Sequence, residues 1–354
     1  MKVHEGATVH TSMVFPECPL PVNFDTYWGC SHKCAYCFAN NSVQKSTGSK
    51  GRSEEESGIE GYGDASILAK YISGKRNKVE SWCDWKIPIC IGRNSDPFQP
   101  CEPREGRTLE CLKLLAKTGY PFVITTKGTS VATLPEYLAV LKDCNCLFQI
   151  SMCCSLHDKM ESGAPTYEER LKHLEKLSSV VKRTVCRWQP LFLEFVPRQL
   201  VEVGRIKSAG AYGILCDSAY LNVKTTLCKY FYNAHYHYSN EDLEKNYVRI
   251  RAACHSVGLK FLCSEMKRLS DELPCCGTKG MEGFEPCRCN APYAIIRPEE
   301  YHETPRMKEE GTAGVFHNVF MGRDDYSKLK TRSFASVMRA YCKDSNIKAQ
   351  IERR

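Results

Sequence analysis

From Ile87 onward the chain alternates short apolar runs with stretches whose apolar residues recur at helical spacing, and this alternation narrows the choice of fold most. Ile87 to Ile91, Phe122 to Ile124, Cys146 to Ile150, Leu191 to Val196, Tyr212 to Cys216 and Lys260 to Cys263 read as strands. Between them, Leu109/Leu112/Leu115, Leu134/Leu138/Leu141, Leu171/Leu174/Leu177/Val181 and Leu243/Tyr247/Ile250/Cys254 each fall on one helical face. Strand-then-helix units imply parallel strands joined by right-handed crossovers. The expected class is therefore α/β, a curved (β/α) barrel that is open or partial, with functional groups on the loops that leave the C-terminal ends of the strands.

The first such loop follows the apolar stretch Val22 to Trp28, which is expected to be a strand. After Gly29 come three cysteines, Cys30, Cys34 and Cys37, spaced CxxxCxxC. Three thiolates on one short loop can hold three irons of a 4Fe–4S cube and leave the fourth iron open to a non-protein ligand. Zinc sites more often pair two-cysteine knuckles. A zinc site and a set of buried thiols are the alternatives.

On this triplet, with Tyr36 just before its last cysteine, the chain resembles the radical S-adenosylmethionine (SAM) superfamily. The run Ser95-Asp96-Pro97-Phe98-Gln99-Pro100, together with Asn23 and Gly29-Cys30-Ser31-His32, is similar to the spore photoproduct lyase-like branch. Thr125-Thr126-Lys127, Ser151, Glu161, Pro165 and Arg170-Leu171 continue the resemblance to about Cys216. It implies a partial barrel of radical SAM type, a 4Fe–4S cluster on Cys30, Cys34 and Cys37, and SAM bound near Tyr36, Ser95, Asp96, Lys127, Ser151 and Arg170. Ser95 and Asp96 offer a hydroxyl and a carboxylate, and a lysine at a strand end can pair with the SAM carboxylate. In thymine-dimer repair a cysteine near the Ser-Asp pair returns a hydrogen atom to the substrate, but Arg93 or Asn94 stands at that place here. Cys101, Cys153 and Cys154 are the candidates for that catalytic role, each with a buried structural thiol as its plainer reading.

The 22 cysteines have no export signal ahead of them, since Met1 to Phe15 is polar, so they suggest a reducing cytoplasm and metal rather than disulfides. A second cluster of them, Cys263, Cys275, Cys276, Cys287 and Cys289, is a candidate for another iron–sulfur cluster or a zinc. No apolar run reaches the roughly 18 residues of a membrane span. The organisation expected is a lead-in segment over 1–21, a barrel over 22–265 and a Cys-rich, basic extension over 266–354.

The function expected is reductive cleavage of SAM followed by abstraction of a substrate hydrogen. An electron donor of flavodoxin or ferredoxin type is the expected partner. The net charge of +8 and the branch resemblance point to nucleic acid as substrate, with a peptide as the alternative; the aromatic, basic stretch Lys229 to Tyr238 could stack on bases but reads first as a half-buried amphipathic helix. A metal-bound nucleic-acid adaptor without catalysis is the rival class.

Overall fold

The structure, a computed structural model, describes residues 1–4, 9–11, 20, 22–34, 36–37, 59–73, 86–219, 221–222, 235–236 and 238–285. Among these, eight strands form one sheet. They are β1 (His10–Thr11), β2 (Val22–Phe24), β3 (Ile89–Ile91), β4 (Phe122–Thr126), β5 (Cys146–Ser151), β6 (Arg183–Leu191), β7 (Gly213–Ser218) and β8 (Lys260–Cys263). Their order in the sheet is their order in the chain. Only β1 pairs antiparallel, and β2 to β8 all run parallel. Among the described residues β1 and β8 are both edges, so the sheet is open there.

The connections hold α1 (Ala65–Ile72), α2 (Arg107–Thr118), α3 (Pro135–Leu141), α4 (Tyr167–Ser178), α5 (Val203–Ser208) and α6 (Asn240–Ser256), of which α2, α3, α4 and α6 carry the four expected apolar faces. Their starts carry side-chain caps where the sequence offers them. Asp64 accepts from the amides of Ser66 and Ile67 (2.9 and 3.0 Å). Thr166 and Glu169 form a reciprocal capping box at α4, and Ser239 accepts from Asp242 at α6. Glu102 anchors the start of α2 from outside the helix. Its fully buried carboxylate takes the amides of Thr108 and Leu109 and the hydroxyls of Tyr137 and Tyr27.

Because the strands advance in one direction, right-handed crossovers place the helices on one face. The burial pattern agrees. Phe24, Ile89, Ile91, Phe122, Ile124, Phe148, Ile150, Ile214 and Phe261 pack with Leu68, Leu112, Leu115, Leu141, Leu174, Leu177, Ile206, Tyr247 and Ile250 from the helices. The alternate positions Cys90, Val123, Leu147, Val185, Leu215 and Leu262 face the other way, and Cys276, Met281 and Phe284 cover them. The segment 274–285 is thus a plug on the face without helices. Arg183 holds it by donating to the carbonyls of Gly277 and Lys279 (2.7 and 2.8 Å). Asn145 donates to the Glu282 carbonyl.

Two expectations need correction. The run Leu191 to Val196 is not a strand; β6 ends at Leu191 and short helical turns follow. The true strand, Arg183-Thr-Val-Cys-Arg-Trp-Gln-Pro-Leu, puts arginines and a glutamine on a face that an apolar template expects to be greasy. Val22 to Trp28 also breaks after Phe24. Tyr27–Trp28 leaves the sheet to pair with Glu60–Gly61. The Lys229 to Tyr238 stretch lies almost wholly outside the described residues, as do Cys287, Cys289 and 286–354. No helix among the described residues is long and apolar enough to cross a membrane.

Candidate cofactor site

The cysteine loop leaves the C-terminal side of β2 through Gly29, whose φ of 85° suits glycine. It is held in three places. Gln99, fully buried, donates to the Gly29 carbonyl (3.0 Å) and accepts from the Ser31 amide (2.7 Å). His32 reaches the Gly163 carbonyl through Nδ1 (2.8 Å), while the Gly163 amide donates to the His32 carbonyl (3.1 Å). Gly163 has to be glycine, because a Cβ there would lie 2.3 Å from the Ser31 carbonyl oxygen. The third hold is His32 Nε2, 3.2 Å from Asp96 Oδ2.

His32 Nδ1 has its hydrogen-bond partner, whereas the buried Nε2 meets Asp96 as a close ion contact without hydrogen-bond geometry, and the nearby carboxylate favours the charged ring. Burial works against its charge, but Asp96 and the Gly163 carbonyl outweigh burial and raise its pKa. Asp96 itself accepts from Thr126 Oγ1 (2.6 Å), the Lys127 amide (2.6 Å) and the Phe98 amide (2.9 Å). Burial would raise its pKa, yet His32 and these donors bring it down to about 2. Asp96 is thus a knot joining the loops after β2, β3 and β4. Expected as a cofactor contact, it spends its carboxylate on protein donors.

Cys30, Cys34 and Cys37 are half-buried free thiols. Burial pushes the Cys34 thiol up to about 11, with Lys127 pulling it the other way. Burial, then Asp96, pushes Cys30 up further. Lys127 directly follows β4 and donates from Nζ to Ser151 Oγ (2.8 Å). It lies 3.9 Å from Glu161 and 5.6 Å from the centre of the Tyr36 ring. Tyr36 donates its hydroxyl to Glu161. Tyr36, Lys127, Ser151 and the cysteine loop thus come together. Ser95 sits beside them after β3, where its amide faces Asp25.

Arg170 is brought near but turned inward. It is 1 % exposed and gives its guanidinium to Glu161, Asp158 and the Ser151 carbonyl. Expected to bind cofactor, it instead holds Glu161, which in turn faces Lys127 and Tyr36. Of the three candidate hydrogen donors, Cys153 lies within electrostatic range of Lys127, Tyr36 and Glu161. Cys101 precedes the short helix Glu102–Glu105. Cys153 is buried in the helix-side core against the Pro190 carbonyl (3.5 Å). Cys154 is sealed against His157 Nδ1 (3.6 Å).

The C-terminal cysteines divide too. Cys263 points into the helix-side core, whereas Cys275 and Cys276 belong to the plug on the opposite face of the sheet. A common metal site for Cys263 and that pair is ruled out by the alternation of the strand. Among the described residues no three His, Cys, Asp or Glu side chains close around a single ion. A mononuclear zinc therefore finds no site among them.

The donor set, three thiols on one loop, has the chemistry of the ligands that hold a cubane's irons. A polar ligand beside it fits as well. Asn23 Oδ1, Ser31 Oγ and Ser95 Oγ are buried without a hydrogen-bond partner around this loop, and such orphaned atoms call for one. Site residues that sequence reasoning missed include His32, Gln99 and Gly163. The signal available for the first two was their place inside the quoted runs. Gly163 had none, because its neighbour is 131 residues away.

No protein-family model matches the chain. Uncharacterized proteins of Mycobacterium bovis and Mycobacterium tuberculosis are 26% identical over 219 residues, covering 58% of this chain and 61% of theirs. The chain thus spans less than two thirds of the relatives it matches. Among solved structures, Streptococcus suis SuiB bound to S-adenosylmethionine superposes with a TM-score of 0.45 at 13% identity, covering 70% of this chain and 51% of that one. SuiB bound to the precursor peptide SuiA gives 0.44 and 14%, covering 70% and 49%.

Proposed function

We propose that the chain is a radical SAM enzyme. The observation that carries this reading is the meeting of three free thiols on the loop after β2 with Lys127 and Ser151 from the ends of β4 and β5. Cys30, Cys34 and Cys37 would hold a 4Fe–4S cluster, releasing their protons to solvent as the thiolates bind iron. When bound, that cluster supplies one electron that splits the SAM sulfonium into methionine and a 5′-deoxyadenosyl radical able to take a substrate hydrogen.

The remaining work belongs to the chain. Lys127 offers the SAM carboxylate a cation whose position Ser151, Glu161 and Tyr36 set. Ser95 and Asn23 present unpartnered oxygens to its polar groups. Asp96 and His32 keep the three loops at fixed separation, so the ligand meets a preorganised site. An electron donor of flavodoxin or ferredoxin type would supply the reducing equivalent, and dithionite replaces it in the assay.

The test is anaerobic reconstitution with iron and sulfide, then incubation with SAM and dithionite. The expected result is 5′-deoxyadenosine and methionine in equal amounts. A protein with its full complement of iron that forms neither is not a radical SAM enzyme, and the adaptor class then takes its place.

A further inference from the structure

The face of the sheet that carries Lys127 and Ser151 also carries a row of polar side chains on five adjacent strands. Its rungs are Thr125 on β4, Gln149 on β5, Arg187 on β6, Asp217 on β7 and Ser264 just after β8. Each rung bonds the next. Thr125 Oγ1 donates to Gln149 Oε1 (3.0 Å), and Arg187 donates to the same oxygen (3.0 Å) and to Asp217 Oδ2 (3.2 Å). Ser264 donates to Asp217 Oδ1. Below this row lie the apolar residues under the plug, and Gln149 Nε2 ties the row to the plug by donating to the Cys276 carbonyl (3.3 Å). Two residues further along β5, β4 and their loops, on the same face, stand Ser151 and Lys127, with Ser151 in register with Arg187.

A sheet face buried in an α/β protein is normally aliphatic. Here the aliphatic row stops where the cofactor residues begin, and Thr125, Arg187 and Ser264 keep partial exposure. We propose that this ladder is the floor on which the substrate lies, and that the substrate is a peptide segment and not a nucleic acid. The inference rests on the radical SAM reading, which supplies the cofactor side of the chamber.

Charge matching selects the substrate class. Arg187 spans Gln149 and Asp217, Lys127 faces Glu161, and Arg170 is held by Glu161 and Asp158. A phosphodiester needs cations to replace its counterions. Drawing Arg187 away for that purpose would strand Asp217, which is 7 % exposed, as an unpaired carboxylate. Glu265, next to Ser264, adds a second carboxylate whose field reaches Asp217. Among the described cations near this face, Arg93 turns its Nε to the Cys90 thiol (3.1 Å) and Arg183 is spent on the carbonyls of Gly277 and Lys279. A peptide backbone brings one donor and one acceptor per residue and no charge. Carboxylate, amide, hydroxyl and guanidinium alternate along the ladder and can meet both.

The experiment works on mixed pools, so the substrate itself need not be identified. Bacterial cells grown in heavy water supply two pools, a tryptic digest and a nuclease-shortened nucleic-acid fraction. Reconstituted full-length protein is incubated anaerobically with SAM, dithionite and one pool. Abstraction breaks a substrate C–D bond and places that deuterium on the 5′ carbon, so the mass of 5′-deoxyadenosine names the donor. Deuterium from the peptide pool alone is expected. In Asp217→Asn and Arg187→Gln its share of the 5′-deoxyadenosine should fall at least tenfold while iron content is retained. Should either variant fail to fold, Ser264→Ala at the rim should lower the share at least threefold. Deuterium from the nucleic-acid pool, from neither pool, or at an undiminished share in these variants overturns the inference. Absence of any 5′-deoxyadenosine from iron-replete protein overturns instead the reading on which it rests.

Discussion

Glu161→Gln should destabilise the protein by about 3 kcal/mol at pH 7, because it removes the one negative charge shared by two buried cations. The Glu161 and Arg170 side chains are each 1 % exposed, and Lys127 is 15 % exposed. Breaking a buried ion pair from one side costs about 3–5 kcal/mol, since the partner keeps its desolvation penalty and loses its attraction. Here the lower end applies. Arg170 keeps the Ser151 carbonyl and a longer contact to Asp158, and Lys127 keeps Ser151 Oγ. The assay is urea unfolding of the iron-free protein under anaerobic conditions, with Glu168→Gln as the reference. Glu168 pairs with Arg205 at the surface, where such a loss is about 0.2–1 kcal/mol.

The pH dependence follows from the same geometry. Burial opposes the charge on Glu161, but Arg170, Lys127 and the Tyr36 hydroxyl outweigh it and hold the carboxyl below its usual range. Its contribution is therefore present above the unfolded carboxyl pKa of about 4.3 and is lost as pH falls through the lower, folded value. Glu161→Gln should flatten that acid limb. A loss under about 1 kcal/mol, or an unchanged acid limb, would refute the account of Glu161 as the shared counter-charge.

Three further outcomes are expected. Cys34→Ala should lose the brown absorbance of the reconstituted protein and form no 5′-deoxyadenosine; unchanged cleavage removes Cys34 from the ligand set. Lys127→Ala should retain iron but bind SAM about tenfold to a hundredfold more weakly by calorimetry, as loss of a charged hydrogen bond implies. Equal affinity would place Lys127 outside the SAM contacts. Gly163→Ala forces a Cβ to 2.3 Å from the Ser31 carbonyl oxygen and 2.8 Å from His32 Cα. Overpacking of this kind costs about 1–3 kcal/mol. It should lower both thermal stability and iron occupancy, and normal iron occupancy would show that the 162–165 turn does not support the cysteine loop.

Much of the architecture is legible in the sequence, because helices and parallel strands announce themselves by local period. The spacing of Leu171, Leu174 and Leu177 recurs as the buried face of α4, and Phe122 to Ile124 and Cys146 to Ile150 recur as β4 and β5. β6 is misplaced by the same reasoning. Its residues serve two environments, apolar on the helix side and polar toward Gln149 and Asp217, so no single template finds it.

The candidate site divides along a similar line. Cys30, Cys34 and Cys37 share eight consecutive residues, so the sequence alone determines that three thiols stand on one loop after a strand. It also determines that Ser95, Lys127 and Ser151 follow strands, and parallel strands carry such residues to one edge of the sheet. Which charges neutralise which was decided only by tertiary structure. Asp96 turned out to knot His32 to the Lys127 amide, and Arg170 to carry Glu161, across separations that no local pattern encodes. The alternation of β8 set Cys263 on the far side of the sheet from Cys275 and Cys276, although the sequence places them close together. Local period determines which elements form, but a side chain's partners depend on which strands become neighbours and on the face each residue takes, and those follow from packing the whole sheet.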